Sequence, residues 1–141
     1  MYIVTFCGHS QLPSWERDDI VKELKETLDA LIHMGARVFL FGGYGEFDIL
    51  CAEVIQGLSH KYSHIISILV LAYTNYRFDK SLYDYWEYHT SEHLPRKYAI
   101  PKRNQYMVDR ADAVVSYVRH SGGASRTLDY AEKRHKLLFK I

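Results

Sequence analysis

The chain has 141 residues, of which 48% are hydrophobic, and its 18 basic and 17 acidic side chains leave a net charge of +1. This length and apolar content are typical of one domain that buries its own core. A nearly neutral charge gives no electrostatic reason to bind nucleic acid in bulk or a membrane surface, so we expect neither as a partner.

The N-terminus and the two cysteines predict a cytoplasmic protein. Residues 1–7 are apolar, but they are too few for a signal peptide and lack its charged leader. No stretch reaches the roughly 20 apolar residues of a membrane span. Cys7 and Cys51 lie within apolar runs, which favours buried thiols in a reducing compartment over a disulfide or a metal pair.

Strands and helices alternate along the chain. Apolar runs predict strands over residues 2–7, 37–41, 65–72, 112–118 and 137–141. Helical spacing predicts a helix from the N-cap Ser14 to Gly35, another from Phe47 to Leu58, and two more over 102–111 and 125–135. The run 65–72 is nearly continuous, as in central strands covered on both faces. We therefore expect an α/β fold in which residues 1–141 form a single Rossmann-like domain, a three-layer sandwich whose mostly parallel sheet has about five strands.

Residues 74–100 interrupt this regularity with an irregular insertion rich in aromatic and charged side chains. A segment of this length predicts a lid, a binding loop or an oligomer contact, although 81–89 is also compatible with a helix. The aromatic residues either stack on a base or form an interface, and we expect a homodimer or larger homo-oligomer. His89, Glu92 and His93 have the spacing of half a metal site, but a third ligand is missing. We predict no metal and no cofactor.

Two glycine turns, each between a predicted strand and a predicted helix, are the main functional signal. Gly42-Gly43-Tyr44-Gly45 follows one strand, and Gly122-Gly123 follows another. Such turns leave backbone N–H groups and a helix N-terminus at one edge of the sheet, where phosphate binds. Neither turn has the sequence of a P-loop or of the dinucleotide fingerprint. A single turn of this kind also serves geometry alone, so a purely structural role stays open for each.

The end of the first strand, Gly8-His9-Ser10, reaches the same edge of a parallel sheet and joins the predicted site. His9 either contacts the phosphate or is a hydrogen-bonded structural residue. Asp48 either binds a ribose hydroxyl or caps its own helix. Serine and threonine hydroxyls near the turns add donors for phosphate oxygens. The predicted ligand-binding residues are Gly8, His9, Ser10, Gly42, Gly43, Tyr44, Gly45, Asp48, Arg103, Ser121, Gly122, Gly123, Ala124, Ser125 and Thr127.

Two longer motifs surround these turns. The first is Phe39-Leu40-Phe41-Gly42-Gly43-Tyr44-Gly45, and the second runs from Arg103-Asn104-Gln105-Tyr106-Met107 through Ala111-Asp112 to Gly122-Gly123 and Thr127. Together they resemble the SLOG superfamily, which includes the LOG phosphoribohydrolases and the nucleotide-binding domain of the DNA-processing protein DprA. The resemblance covers residues 2–141 except 74–98. It implies a Rossmann-like fold.

Two further stretches narrow the resemblance. Phe6-Cys7-Gly8-His9-Ser10 and residues 101–112 look closest to a small bacterial group, the YpsA-like proteins. The resemblance implies that Arg103 holds a ligand phosphate or takes part in catalysis, whereas the residues alone leave open a solvated surface arginine.

The second motif departs from that of the LOG enzymes. There a glutamate at its end works with the arginine to cleave the N-glycosidic bond of a nucleoside monophosphate. In this chain the glutamate position falls on Tyr130, or on Asp129 if the turn carries an extra residue. The resemblance therefore implies Arg103 and Asp129 as the catalytic residues of any such enzyme.

Three functions are compatible with the sequence. We favour a module that senses or sequesters a nucleotide-derived small molecule, such as one with an ADP-ribose core, because it needs anion-binding turns and no catalytic carboxylate. The alternative is an N-glycosidic hydrolase or transferase that acts on a nucleoside monophosphate, with Asp129 or Asp48 stabilising an oxocarbenium-like transition state. The third is an assembly or regulatory protein whose ancestral pocket is no longer used.

Overall fold

The computed structural model describes residues 2–89 and 93–141, which fold around one parallel sheet. Within these ranges the strands are β1 (Tyr2–Gly8), β2 (Ala36–Phe41), β3 (Ile66–Leu71), β4 (Tyr85–Tyr88), β5 (Ala113–Tyr117) and β6 (Leu137–Lys140). The α-helices are α1 (Arg17–His33), α2 (Glu46–Ser59), α3 (Arg96–Arg110) and α4 (Gly123–Lys133), and short 3-10 turns lie at Ser14–Glu16 and Lys80–Leu82.

The strands are ordered β4-β3-β2-β1-β5-β6, and every neighbouring pair runs parallel. The predicted Rossmann-like α/β fold is therefore confirmed, with six described strands in place of about five. The additional strand is β4, which lies within the segment that we expected to be an irregular insertion. That segment also contains a 3-10 turn and the start of α3.

The chain direction across the sheet reverses between β1 and β5. From β1 the chain adds β2, β3 and β4 on one side, and it then crosses back through α3 to place β5 on the other side of β1. The carboxyl ends of β1 and β5 therefore flank a topological switch point. In open α/β sheets the loops separate at such a point and leave a crevice in which ligands bind.

The helices form two layers, with α1 and α2 packed together on one face of the sheet and α3 and α4 on the other. Strand β2 serves both faces, since Phe39 and Phe41 belong to the larger core and Val38 and Leu40 face Met107 of α3. Strand β3 lies between β2 and β4, and its last three residues are buried. The prediction of a covered inner strand over 65–72 is confirmed.

Three local predictions are wrong. Residues 81–89 contain the edge strand β4, so the helical alternative for this stretch is wrong. Helix α3 begins at Arg96 and continues through Pro101, which removes only one intrahelical hydrogen bond. Ser14 begins a 3-10 turn, and no side chain caps α1.

Two expected absences concern metals and membranes. Glu92 of the metal half-site lies outside the described residues, and within 2–89 and 93–141 no three metal-ligating side chains cluster. Among the described helices, none combines the length and the apolar character that crossing a membrane requires.

Candidate functional site

A pocket of about 390 Å³ lies between the loops that follow β1 and β5. Its volume is within the range of roughly 300–1,000 Å³ that is usual for small-molecule sites. Helix α3 forms one wall with Ile100, Arg103, Asn104 and Met107. The predicted ligand residues that line the pocket are Gly8, His9, Ser10, Gly42, Tyr44, Asp48, Arg103, Gly122, Gly123, Ala124 and Thr127.

The remaining predicted site residues lie outside this lining. Gly43, Gly45, Ser121 and Ser125 are beside the pocket in sequence but do not line it. Asp129, the predicted catalytic carboxylate, is exposed on α4 and does not line the pocket either. Among the described lining residues, Asp48 supplies the single carboxylate.

Arg103 fastens α3 to the sheet. Its side chain is only 5% exposed, and Nη1 donates to the carbonyl oxygens of Gly42 at 3.0 Å and Val70 at 2.9 Å. A Cβ atom on Gly42 would lie 3.0 Å from the guanidinium carbon, so a glycine there lets the guanidinium lie against the backbone. Burial lowers the pKa of Arg103, the Asp48 charge opposes that shift, and the group stays positive. In the described part of the chain Nη2 has no hydrogen-bond partner, which leaves a donor for the pocket.

Asp48 occupies hydrogen-bond donors of the first glycine turn. Asp48 accepts hydrogen bonds from the N–H groups of Gly43 at 2.8 Å and of Gly42 at 3.3 Å. Burial raises the pKa of Asp48 to about 6, against the opposing effects of the Gly43 hydrogen bond and the Arg103 charge. Two N–H groups that we expected to be free for phosphate are therefore occupied. Asp48 caps the turn before α2 and not the helix itself.

The N-terminus of α2 is also closed. The N–H of Glu46 donates to the carbonyl oxygen of Ser10 at 2.9 Å, and that of Phe47 donates to His9 at 3.4 Å. The loop after β1 can come this close because residue 8 is a glycine. A Cβ atom at that position would lie 2.2 Å from the Phe47 ring. The N–H groups of Gly42 and Gly43 in the first turn, and those of Glu46 and Phe47 in α2, are thus engaged within the protein.

The N-terminus of α4 is open. The N–H of Gly122 donates to Oγ of Ser125 at 2.9 Å, and the first intrahelical bond runs from Arg126 to Gly122. The N–H groups of Gly123 and Ala124 have no partner within the described residues, and both residues line the pocket. The positive end of the helix dipole adds to these donors. The second turn therefore has N–H donors without a partner in the described residues, and anion binding there stays a prediction.

His9 orders the loop that leads into α4. Its Nε2 accepts a hydrogen bond from the N–H of Arg119 at 2.7 Å, and its ring stacks on His120 with the centroids 3.7 Å apart. Burial first, and then the electrostatic effects of His120 and Arg119, lower the pKa of His9. An unprotonated Nε2 means that the neutral ring carries its proton on Nδ1. Of the two predicted roles, this geometry fits the structural one.

Three polar lining residues were missed by sequence reasoning: Gln11, Asn104 and His120. A signal existed for Asn104, because it belongs to the helical stripe that includes Arg103 and Met107. Gln11 and His120 lie in loops, where no periodicity marks the side that faces a ligand.

No protein-family model and no curated protein sequence matches the chain. Solved structures do match. TM1055, a structural genomics target, has a TM-score of 0.65 and 18% identity over 98% of this chain and 72% of its own. DNA processing protein A (DprA) from Helicobacter pylori, described for a unique single-stranded DNA binding mode, has a TM-score of 0.68 and 17% identity over 99% of this chain. This chain spans 64% of that DprA chain, which is less than two thirds.

These likenesses confirm the Rossmann-like fold that the sequence resemblance implies. The YpsA-like branch and the homo-oligomer stay predictions. One expectation is wrong. We excluded bulk nucleic acid as a partner on the ground of a neutral net charge, yet a protein of this fold binds single-stranded DNA. Net charge is a poor guide here, because local phosphate contacts and aromatic stacking decide such binding.

Proposed function

We propose that the chain binds a nucleotide-derived small molecule, as a sensor or sequestering module, with a phosphate at the N-terminus of α4. One observation carries this proposal: two kinds of anion donor meet in one pocket. They are the N–H groups of Gly123 and Ala124, which have no partner within the described residues, and the buried guanidinium of Arg103. Helix N-termini and guanidinium groups are both common phosphate ligands in proteins.

Asp48 supports a sugar next to that phosphate. Its carboxylate lines the same pocket, and its oxygens keep acceptor capacity beyond the bonds from Gly42 and Gly43. A carboxylate disfavours a second phosphate but accepts hydrogen bonds from neighbouring hydroxyl groups. Tyr44, which is 61% exposed at the rim of the pocket, offers an aromatic face to a base. The combination suits a nucleoside phosphate.

The alternative is hydrolysis or transfer at the N-glycosidic bond of a nucleoside monophosphate. Asp48 favours it, because this carboxylate lies in the pocket whereas Asp129 does not, and its pKa of about 6 suits proton transfer near neutral pH. In this alternative Asp48 stabilises the positive charge that develops on the sugar, while Arg103 and α4 hold the phosphate. An assay for the release of free adenine from AMP distinguishes an enzyme from a sensor that only binds the nucleotide.

Single-stranded DNA is another source of the same chemistry, a sugar phosphate beside a base. DprA from Helicobacter pylori is described as binding it. Proteins that bind single strands combine phosphate contacts with stacking on exposed aromatic rings. This chain exposes Tyr44 by 61% and Tyr98, on α3, by 54%. The test of function therefore includes a single-stranded oligonucleotide.

Calorimetric titration with AMP, ADP, ADP-ribose, ribose 5-phosphate and a single-stranded oligothymidylate tests the proposal. A ligand at about 100 times its Kd should also stabilise the protein by about 2.7 kcal/mol in thermal unfolding. We expect a nucleotide to bind more tightly than the oligothymidylate. The proposal is refuted if the wild-type protein binds none of these compounds.

Gly123→Val tests where the phosphate binds. A branched side chain there covers the free N–H groups of α4, so affinity should fall by about tenfold or more. The fold should survive, because a Cβ atom on Gly123 meets no atom closer than 4.0 Å. Gly57→Val is the matched control: its Cβ would meet nothing within 4 Å, and it lies on α2 away from the pocket lining.

A further inference from the structure

Asn104 follows Arg103 on α3 and lines the same pocket. The Nε–H of Arg103 donates to Oδ1 of Asn104 at 2.9 Å. An arginine Nε has a hydrogen to donate and no acceptor capacity, so the amide atom that faces it must be the oxygen. This fixes the orientation of the Asn104 amide, which for most asparagines has to be inferred from a less decisive set of partners.

With its oxygen directed at Arg103, the Asn104 amide turns its NH₂ group away from the guanidinium. In the described part of the chain Nδ2 donates no hydrogen bond, and the side chain is half-buried. A half-buried amide with two unused donors gains most from an acceptor that enters the pocket. Together with Nη2 of Arg103 and the open N–H groups of α4, it makes a third kind of donor in one cavity.

We propose that Asn104 is a ligand-binding residue whose Nδ2 donates to an anionic oxygen of the bound sugar phosphate, and that Arg103 positions it. The inference rests on the proposed function, because it assigns a residue of the same site. It also makes the anion selectivity of the pocket depend on an amide. A carboxylate of the same shape would accept the Arg103 hydrogen bond equally well but would repel the phosphate.

Asn104→Asp is the decisive variant, and the chain offers a matched control. Asn75 also accepts an arginine hydrogen bond, from Nη2 of Arg96 at 3.2 Å, and it does not line the pocket. Asn75→Asp therefore introduces the same charge beside the same kind of partner. Calorimetry with AMP, ribose 5-phosphate and the oligothymidylate should show that Asn104→Asp weakens every probe that the wild type binds by about 10- to 100-fold. Asn75→Asp should change affinity by less than about twofold.

Asn104→Ala separates loss of the donor from gain of a charge and should weaken binding by about tenfold. Nitrogen-15 spectra give a second measurement, since the NH₂ signals of Asn104 are those absent from this variant. They should shift when AMP is added. Unchanged affinity in Asn104→Ala and Asn104→Asp, with static NH₂ signals, overturns this inference but leaves the proposed function intact. A wild-type protein that binds no probe overturns both.

Discussion

The Asp48 carboxylate accepts a hydrogen bond from the N–H of Gly43, with 2.8 Å between nitrogen and oxygen. It takes the place that a phosphate oxygen has in a glycine turn that binds anions. The protein thus supplies its own anion to the first turn. At Gly123, no side chain within the described residues takes that place. Asp48 occupies two N–H groups of the first turn, whereas those of Gly123 and Ala124 have no partner within the described residues, so the two glycine turns that look alike in sequence differ in what they can bind.

Neutralising Asp48 should tighten the binding of inorganic phosphate. Asp48→Asn removes a negative charge from the pocket, and repulsion between charges about 4 Å apart near a protein surface is on the order of a few kcal/mol. We expect the phosphate Kd to fall at least several-fold while AMP gains less, because AMP also loses a hydroxyl acceptor. Glu46→Gln is the control, since Glu46 is exposed in the first turn of α2 and does not line the pocket. Equal phosphate affinity in the two variants would contradict this prediction.

The raised pKa of Asp48 also predicts a dependence of stability on pH. The ordinary value is 3.8 and the folded value is about 6, so the native state binds this proton more tightly than the unfolded chain. The contribution of Asp48 to the free energy of unfolding is therefore largest below about pH 4 and falls as the pH rises to about 6. Urea denaturation should show wild type losing stability relative to Asp48→Asn across that window. A difference that does not change with pH would contradict the raised pKa of Asp48.

His9 should contribute with the opposite sign. Its pKa is lowered from 6.5, mainly by burial, so the unfolded chain takes up the proton first as the pH falls. The stabilisation by His9 is complete above pH 6.5 and is lost progressively below it. In His9→Gln, which keeps an acceptor for the N–H of Arg119, this loss should disappear from denaturation curves below pH 6.5. The exposed His60→Gln should keep the wild-type profile, and a parallel profile in both variants would refute the assignment.

The alternation of strands and helices predicted the sheet, and the glycines predicted the edge at which the pocket lies. Long apolar runs report burial directly, which is why β3 was recognised as an inner strand. Strand β4 was missed because it is a short edge strand whose exposed Tyr85 and Tyr88 carry no apolar run. An edge strand buries one face of its side chains at most, so the hydrophobic pattern that marks it in the sequence is weak.

The closure of the first turn could not be predicted from the sequence. An aspartate in the first turn of a helix usually serves the helix N–H groups, and nothing local indicates that Asp48 turns back to Gly42 and Gly43. Its position depends on the loop after β1, whose carbonyl groups already occupy the N-terminus of α2. Which N–H groups Asp48 bonds therefore depends on residues far apart in the sequence, and these come together only when the sheet has formed.

Arg103 should prove to be structural as well as ligand-binding. Arg103→Ala leaves the carbonyl oxygens of Gly42 and Val70 without this donor, and we expect it to cost about 2–4 kcal/mol in the free energy of unfolding. Arg126→Ala, at an exposed position on α4, should cost less than about 0.5 kcal/mol. Urea denaturation measures both, and similar losses would contradict the two carbonyl contacts.

Arg103→Lys separates the two roles of this side chain. Lysine keeps the positive charge but lacks Nε, so it cannot position Asn104 through the bond that the arginine makes. We expect stability to recover in part, while AMP affinity stays about tenfold below wild type because the donor fork is lost. If AMP binds Arg103→Lys as tightly as wild type, the charge alone serves the ligand and the guanidinium geometry matters only to the fold. Calorimetry and urea denaturation on the same preparation distinguish these outcomes.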